Sequence, residues 1–291
     1  MDLEQTAITR LQTAAELSRK YYQQPLRVCY SGGKDSEVIL ELCRRADVSY
    51  EVVHNLTTAD APETVYHVRK VFRKLELESV HCKIVQPRYK GLPINMWALI
   101  SIKRIPPTKK IRYCCACLKE AANHNCCVVL GVRRQESSSR ADCAVAEHPG
   151  ATRAEKTTFD MDNGDPRIIA PCQIKASIKI HPIVDWTDTQ VWQFLRDARI
   201  SMNPVYDMGF WRVGCIGCPM ANKIRYAQFR QWPKYEQLYR RAFAKLVEAR
   251  KQTGKDCPWR SGDEVFRWWM EDKNLDGQLD IFGGEVGADE P

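Results

Sequence analysis

Hydrophobic positions in the first part of the chain follow two alternating periods. Amphipathic stretches with helical spacing are separated by short apolar runs of the length of a buried strand. The strand-like runs span residues 26–30, 50–54, 82–85, 127–130 and 167–170. The helix-like stretches span residues 3–22, 38–42, 62–75, 94–103 and 115–122. Strands alternating with helices predict an α/β fold, with a parallel twisted sheet flanked by helices.

The rest of the chain is predicted to be mainly helical. A helix over residues 188–197 follows Thr187, whose hydroxyl suits the cap position, and residues 222–251 form one or two helices broken near Pro233. A tryptophan-rich stretch over residues 263–271 predicts a short helix that docks on the core. Polar residues 144–165 predict loops. The expected parts are an N-terminal helix (1–24), an α/β domain (25–220), a helical C-terminal extension (221–274) and an acidic flexible tail (275–291).

Composition and charge narrow the class of protein. Hydrophobic residues make up 44% of the 291 residues and charged residues 27%, which is ordinary for a globular chain and excludes a fibrous or wholly disordered one. The net charge of +8 suits a nucleotide or nucleic-acid partner, and equally a solvated basic surface. No apolar run approaches the roughly 20 residues of a membrane span, and the first residues do not resemble a secretory signal. We therefore expect a cytoplasmic protein without a membrane partner.

Cysteine is unusually frequent. The 13 cysteines are an odd number in a chain without signs of secretion, so disulfides are not the default explanation. Five lie in apolar runs and are predicted core residues: Cys29, Cys43, Cys82, Cys126 and Cys127. Two turns, Cys114-Cys115 and Cys215-x-x-Cys218, supply four thiolates, enough for a tetrahedral sulfur site or an iron–sulfur cluster. Cys114-x-x-Cys117 with the second turn is a zinc pattern, so spacing alone leaves iron–sulfur, zinc and unmetallated thiols open.

A glycine-containing turn lies between the first predicted strand and the helix after it. The turn reads Ser31, Gly32, Gly33, Lys34, Asp35 and Ser36. Glycine N–H groups can approach an anion closely, the helix N-terminus favours negative charge, and Lys34 adds a point charge. The spacing differs from that of Walker P-loop ATPases. We interpret the turn as a phosphate cradle, in which Asp35 either reaches Mg²⁺ through water or bonds the backbone.

Three arginines follow the strand predicted at residues 127–130. Guanidinium groups bind phosphate and sulfate oxygens bidentately, so Arg133, Arg134 and Arg140 form a candidate oxyanion site, and a solvated basic turn has the same composition. Asp60, just before the start of the predicted helix at residue 62, is either a nucleotide-site residue or a simple cap or turn residue.

Taken together, these motifs resemble one known family. The turn at residues 31–36 is similar to the PP-loop of N-type ATP pyrophosphatases, and later segments resemble the phosphoadenosine phosphosulfate (PAPS) reductase family in order. Those segments are Arg112-Tyr113-Cys114-Cys115-x-x-Leu118-Lys119, Gly131-Val132-Arg133-Arg134-x-Glu136-Ser137-x-x-Arg140, His181-Pro182-Ile183-x-Asp185-Trp186, Asn203-Pro204-x-Tyr206-Asp207-x-Gly209 and Gly214-Cys215-x-x-Cys218-Pro219. The resemblance covers roughly residues 27–220.

The resemblance implies a fold, ligands and site residues. The fold is that of the adenine nucleotide alpha hydrolase-like proteins, and the substrate is ATP, PAPS or adenosine phosphosulfate, with Mg²⁺ at the phosphates. A [4Fe–4S] cluster is implied on Cys114, Cys115, Cys215 and Cys218. The implied nucleotide-site residues are Ser31, Gly32, Gly33, Lys34, Asp35, Ser36, Asp60, Arg133 and Arg140, with Lys34, Asp35 and Arg134 in catalysis.

One departure from the family affects the predicted reaction. Thioredoxin-dependent sulfonucleotide reductases carry a C-terminal nucleophile in a Glu-Cys-Gly-Leu-His segment, which is missing here, and the last cysteine is Cys257. The sequence therefore favours ATP-dependent adenylation of an acceptor, nucleic acid being one class, followed by sulfur transfer from a cysteine desulfurase or thiol donor. Thiol-dependent reduction of PAPS or adenosine phosphosulfate, and noncatalytic nucleic-acid binding or redox sensing, are the alternatives.

Overall fold

A seven-stranded sheet is the largest element of the structure. The computed structural model describes residues 2–120, 125–148, 157–159, 177–254 and 257–271. By its contacts, the chain divides into two units. The sheet unit comprises Met1–Leu56, Asp60–Pro87 and Lys119–Gly214, and the helical unit comprises Thr57–Ala59, Arg88–Leu118 and Cys215–Pro291.

The strands are mostly parallel. Their bounds are β1 Leu26–Cys29, β2 Tyr50–Asn55, β3 Cys82–Val85, β4 Arg88–Tyr89, β5 Leu92–Pro93, β6 Cys127–Val129, β7 Ala146–His148, β8 Thr157–Phe159 and β9 Ile178–Ile180. The large sheet has the order β3-β2-β1-β6-β9-β7-β8, and β4 and β5 form a separate antiparallel pair. The strands from β3 to β9 in that order pair in parallel, whereas β7 is antiparallel to both β9 and β8.

The strand order reverses between β1 and β6. From β1 the chain moves outward through β2 to β3 and then returns on the other side of β1 as β6, where Val28 is in register with Val129. In open α/β sheets, ligands bind at such a reversal, beyond the carboxyl ends of the strands. The turn after β1 and the loop after β6 therefore start side by side at the place where this fold class binds its ligands.

The helices of the sheet unit surround a core of apolar side chains. The α-helices of the described residues are α1 Leu3–Leu17, α2 Lys34–Arg45, α3 Pro62–Leu77, α4 Met96–Lys103, α5 Tyr113–Cys115, α6 Asp188–Asp197, α7 Ile224–Gln231, α8 Pro233–Gln252 and α9 Gly262–Glu271. Leu11 of α1 and Ile39 of α2 pack with strand residues of β1, β6 and β9 in one buried cluster. The Thr187 cap of α6 is confirmed, because its hydroxyl accepts the Gln190 N–H at 3.3 Å.

Aromatic side chains build the core of the helical unit. Helix α8 packs against α4, α7 and α9. Tyr239, Phe243 and Trp269 are all buried, and the Trp269 indole N–H donates to the Pro107 carbonyl at 2.7 Å. The expectation that the tryptophan-rich helix docks on the core is therefore confirmed. The predicted break near Pro233 is also confirmed, because α7 ends at Gln231 and α8 begins at Pro233.

The predicted fold class is confirmed, with corrections in the polar middle of the chain. The expectation of loops over residues 144–165 is wrong in part, because β7 and β8 form there, and β9 was not predicted. The strand expected at residues 167–170 and the acidic tail at 275–291 lie outside the described residues. Within the described residues, no helix combines the length and the apolar character needed to span a membrane.

Candidate functional site

A single hydroxyl group holds the turn between β1 and α2 in shape. Gly32 has a φ of +73°, in the left-handed region that glycine enters without a Cβ clash. Ser36 donates its hydroxyl proton to the Gly33 carbonyl (2.7 Å), and its Oγ accepts the N–H groups of Gly33 (3.2 Å) and Ser31 (3.3 Å). Helix α2 begins at Lys34, so the predicted cradle residues lie in one turn that leads directly into a helix N-terminus.

A buried asparagine supports this turn. Asn203 is fully buried, and its side-chain amide donates to the Gly32 carbonyl (2.9 Å) and to Thr64 Oγ1 of α3 (3.2 Å). A Cβ on Gly32 would come within 3.3 Å of both side chains. The Asn-Pro-x-Tyr segment was noticed in the sequence as a motif, but only the fold shows that its asparagine fixes the glycine turn.

Tyr206, from the same segment, already occupies one backbone donor of the turn. Its hydroxyl oxygen accepts the Lys34 N–H at 2.8 Å. Its ring packs edge-on against Trp192 of α6, with 5.1 Å between ring centroids. Burial raises the pKa of the Tyr206 hydroxyl, which therefore stays protonated at neutral pH.

Lys34, Asp35, Arg133 and Asp188 form a network of opposite charges, called the charge network below. Lys34 Nζ lies 3.4 Å from Asp35 Oδ2 and 3.2 Å from Asp188 Oδ1. Arg133 donates from Nε to Asp35 Oδ1 (2.7 Å) and from Nη2 to Asp188 Oδ1 (2.9 Å). Burial alone would raise the pKa of the Asp188 carboxyl, but Lys34 and Arg133 outweigh it and hold that pKa below its ordinary value. The structure thus brings three predicted site residues together around Asp188.

The other two predicted arginines lie in the exposed part of the same loop. Arg134 pairs with Asp185, and Arg140 pairs with Glu136, four residues earlier in the chain. Their side chains are 42% and 40% exposed, whereas that of Arg133 is only 3% exposed. The structure therefore separates Arg133, which is fixed in the charge network, from Arg134 and Arg140, which reach solvent.

Asp60 and Asp188 both lie at helix starts, but the sequence predicts only Asp60 as a site residue. Asp60, which the sequence singled out, is half-buried and directly precedes Ala61, the cap residue of α3. Asp188, the first residue of α6, was missed, because an acidic residue in a first helical turn is explained by the helix dipole alone. The signals for its role are its contacts with Lys34 and with Arg133, both distant along the chain, and they require the fold.

The residues that flank the turn form a buried polar cluster. Tyr30 donates its hydroxyl proton to Glu37 Oε1, and His67 Nε2 lies 2.6 Å from the same oxygen. Burial, followed by the charge of Glu37, raises the pKa of the Tyr30 hydroxyl. His54 Nδ1 lies 2.9 Å from the Tyr30 carbonyl oxygen, while its Nε2 is buried without a hydrogen-bond partner among the described residues. This cluster ties β1, α2 and α3 together beside the cradle.

In the helical unit, close packing fixes the second cysteine turn. Gly217 lies between Cys215 and Cys218 with a φ of +74°. A Cβ at Gly217 would lie 2.7 Å from the Phe229 ring and 2.8 Å from the Tyr239 ring, so only glycine fits. The Cys218 N–H donates to the Cys215 carbonyl at 3.2 Å, which closes the turn.

The four predicted metal ligands are called the thiol group below, and Cys114 lies within electrostatic range of the other three, Cys115, Cys215 and Cys218. The pKa of Cys114 is raised by a hydrogen bond with Cys115, then by burial, and then by the charges of Cys115, Cys215 and Cys218. The Arg112 guanidinium donates to Cys115 Sγ at 3.4 Å. All four belong to the helical unit, and a cation lies beside them.

The thiol group fits a metal site in residue type and number, because thiolates bind both zinc and iron–sulfur clusters. Cys117 has a different environment, in which burial raises the thiol pKa and Lys103 lowers it. In the part of the chain that the structure describes, no three Cys, His, Asp or Glu side chains are arranged to hold a metal ion. The thiol group is therefore a candidate ligand set that would have to reorient to bind.

A protein-family model assigns most of the chain to one domain family. A family model described as the phosphoadenosine phosphosulfate reductase domain matches residues 25–221. An uncharacterized protein of Methanocaldococcus jannaschii is 28% identical over 270 residues, covering 88% of this chain and 55% of that protein. The chain thus spans about half the length of this curated relative.

Two further proteins carry names from sulfonucleotide metabolism. An adenosine 5'-phosphosulfate reductase of Bacillus cereus (strain Q1) is 24% identical over 217 residues, which are 72% of this chain and 79% of that protein. The crystal structure of a PAPS reductase from Candida auris in a phosphate complex is 15% identical, with a TM-score of 0.44. That match covers 73% of this chain and 92% of the other.

Proposed function

Because this chain belongs to the phosphoadenosine phosphosulfate reductase domain family, we propose that it is an ATP-using enzyme that adenylates an acceptor for sulfur transfer. The observation that carries the proposal is the turn from Ser31 to Ser36, in which a left-handed glycine, the N-terminus of α2 and the Lys34 side chain follow directly after β1. These are the groups that bind phosphates in proteins.

The proposed reaction balances without a redox change at the acceptor. An acceptor oxygen attacks the α-phosphorus of ATP, the bond to the bridging oxygen of the β-phosphate breaks, and pyrophosphate leaves. A sulfur atom at the oxidation level of hydrosulfide then displaces AMP from the acceptor carbon. A cysteine desulfurase persulfide, reduced by a thiol, is the class of donor that supplies this sulfur, and a nucleic-acid base carbonyl is the class of acceptor that suits the basic chain.

Residues of the sheet unit would stabilise the charge on the leaving pyrophosphate. Lys34 and the amides at the start of α2 would hold its oxygens, and Arg134 can turn toward a ligand because its side chain is 42% exposed. Mg²⁺ carried by the phosphates would offset the remaining charge. Asp35, which is adjacent to Lys34 in sequence, is the carboxylate that would hold this Mg²⁺.

The thiol group would hold an iron–sulfur cluster in this proposal. When bound, such a cluster would supply the chemistry that positions the transferred sulfur. The protein's own contribution is the Arg112 guanidinium, which would offset the negative charge of thiolates, and the packed Gly217 turn, which fixes Cys215 and Cys218.

The test is substrate consumption by reconstituted protein. We expect ATP to be cleaved to AMP and pyrophosphate in the presence of a nucleic-acid acceptor, and Lys34→Ala to abolish this activity. Lys83→Ala, which removes an exposed lysine of β3, is the matched control and should retain it. Failure to cleave ATP with any nucleic acid or small acceptor would contradict the proposal.

A second candidate is the reduction of adenosine phosphosulfate or PAPS to sulfite. The name of the Bacillus cereus relative favours it. The attacking thiolate would be Cys257 or an external thiol, although the Cys257 thiol donates to the Trp259 carbonyl at 3.2 Å just before α9. Sulfite release with thioredoxin, without ATP cleavage, would replace the first proposal by this one, and loss of that activity in Cys257→Ser would identify the nucleophile.

A further inference from the structure

We propose that Asp188 is an internal counter-anion of the phosphate cradle, and that a ligand's phosphate binds by displacing its carboxylate. This inference rests on the proposed function, because it takes the turn at residues 31–36 as the phosphate site. It adds to that function a residue that sets which anions can bind.

One carboxylate oxygen of Asp188 lies between two cationic groups. Asp188 Oδ1 lies 3.2 Å from Lys34 Nζ and 2.9 Å from Arg133 Nη2. A single carboxylate oxygen that bridges an ammonium and a guanidinium takes the position that a phosphate oxygen would take between the same two cations. The side chain therefore mimics a bound anion.

Burial decides which partner can leave. The side chains of Lys34 and Arg133 are 8% and 3% exposed, whereas that of Asp188 is 54% exposed. The two cations are fixed by their surroundings, and the carboxylate alone can turn into water at small cost. An incoming phosphate would therefore find both cations in place.

The charges of the network require such an exchange. Lys34 and Arg133 are balanced by Asp35 and Asp188, so the network is neutral before any ligand binds. Asp35 is 18% exposed and is adjacent to Lys34 in the first turn of α2, which leaves Asp188 as the carboxylate free to exchange. A phosphate that entered without this exchange would be repelled by a carboxylate at contact distance.

A second protein oxygen fills the backbone side of the cradle. The Tyr206 hydroxyl accepts the Lys34 N–H at 2.8 Å, and the Tyr206 ring rests edge-on against Trp192. Trp192 and Asp188 are four residues apart and so share one face of α6. This face of α6 therefore contacts the cradle at two places. Asp188 contacts the Lys34 side chain directly, and Trp192 packs against Tyr206, which binds the Lys34 N–H. A ligand that displaces both protein oxygens must supply one oxygen to the amide and another to the side-chain cations.

The test measures inorganic pyrophosphate binding by calorimetry to the full chain. We expect Asp188→Asn to bind pyrophosphate about three- to tenfold more tightly than the unmodified protein, because the competing charge is removed from a partly exposed pair. Asp188→Glu keeps the charge and should bind like the unmodified protein. Asp197→Asn removes a carboxylate from the other end of α6 and is the matched control, with no expected change.

The outcomes separate this inference from the proposed function. Unchanged or weaker pyrophosphate binding by Asp188→Asn, with Lys34-dependent ATP binding intact, would overturn the inference alone. If neither protein binds pyrophosphate or ATP, both proposals fail. Thermal unfolding checks the fold of the variant: Asp188→Asn should melt lower without ligand, and pyrophosphate should raise its melting temperature more than that of the unmodified protein. Equal shifts in the two proteins would also contradict the displacement.

Discussion

The charge network and the thiol group differ in how complete they are without a ligand. In the charge network each of the two cations contacts two carboxylates. In the thiol group like side chains are gathered, each raises the pKa of Cys114, and Arg112 is the cation hydrogen-bonded to one of them. In the charge network, the positive and negative side chains balance each other without a ligand. In the thiol group, neighbouring thiolates repel one another until a cation binds them.

This difference predicts opposite responses to ligand. A site filled by its own opposite charges must be emptied before it binds, so removal of a protein anion favours the ligand. A site of gathered thiols must be filled, because each thiolate that forms raises the proton affinity of its neighbours until a metal replaces the protons.

The largest effect is expected at the thiol group. Cys114→Ser should lose bound iron and sulfide after anaerobic reconstitution, together with the absorbance near 400 nm, because a cluster needs all four thiolates. Cys257→Ser, in the same unit, should retain them. Iron loss in Cys117→Ser with retention in Cys115→Ser would instead assign the site to the Cys114-x-x-Cys117 pattern, and zinc analysis would then identify the metal.

The next effect concerns the packing that holds the second cysteine turn. Gly217→Ala should lower the free energy of unfolding by about 2–5 kcal/mol, because it adds overpacking against two rings to a strained φ. Gly254→Ala is the control, since its φ is +63° but no atom lies within 4 Å of the added Cβ. Urea denaturation measures both. Equal losses would show that strain, and not the rings, decides the cost.

A smaller effect is expected beside the phosphate cradle. Glu37→Gln should cost about 1–3 kcal/mol of unfolding free energy, because the buried carboxylate binds both Tyr30 and His67. Glu41→Gln, on the same helix, loses only ion pairs with more exposed arginines and should cost roughly 0–1 kcal/mol. An unchanged free energy of unfolding in Glu37→Gln would mean that this cluster adds nothing to the cradle's stability.

The smallest effect is the pH dependence due to Asp188. Its pKa is lowered in the folded protein, so its contribution to stability is fully present above the ordinary aspartate pKa of about 3.9. That contribution is lost as the pH falls toward the lowered folded value. Stability should therefore fall less steeply in Asp188→Asn below about pH 4 than in the unmodified protein. Parallel acid unfolding curves for the two proteins would show that the Asp188 carboxylate does not contribute to this loss of stability.

Local sequence signals predicted those elements of the fold that local interactions determine. Helix α6 matches its predicted range because Thr187 and Gln190 form a capping box, and β3 matches the predicted strand at residues 82–85. Strands β7 and β9 are short and pair with partners distant in sequence, so no period appears in the polar stretch around them. Their formation depends on pairing within the sheet.

The candidate site was predictable where residue type alone carries the chemistry. The glycine turn and the cysteine pairs are recognisable by spacing. The different environments of Arg133 and Arg134 were not predictable, because the two arginines are neighbours in one loop and look alike in sequence. In the fold, Arg133 pairs with Asp35 and Asp188 and Arg134 does not. Asp188 itself was hidden by the ordinary explanation for an acidic residue at a helix start.

The strand reversal between β1 and β6 also has a consequence for synthesis. Asp35 meets Arg133 across 98 residues, and Lys34 meets Tyr206 across 172 residues. Contacts so remote along the chain form late in folding, since loop closure must precede them. A ribosome-bound chain that ends before Tyr206 therefore lacks the finished cradle. A ligand of the proposed cradle can stabilise this protein only after translation has passed Tyr206, so early folding proceeds without it.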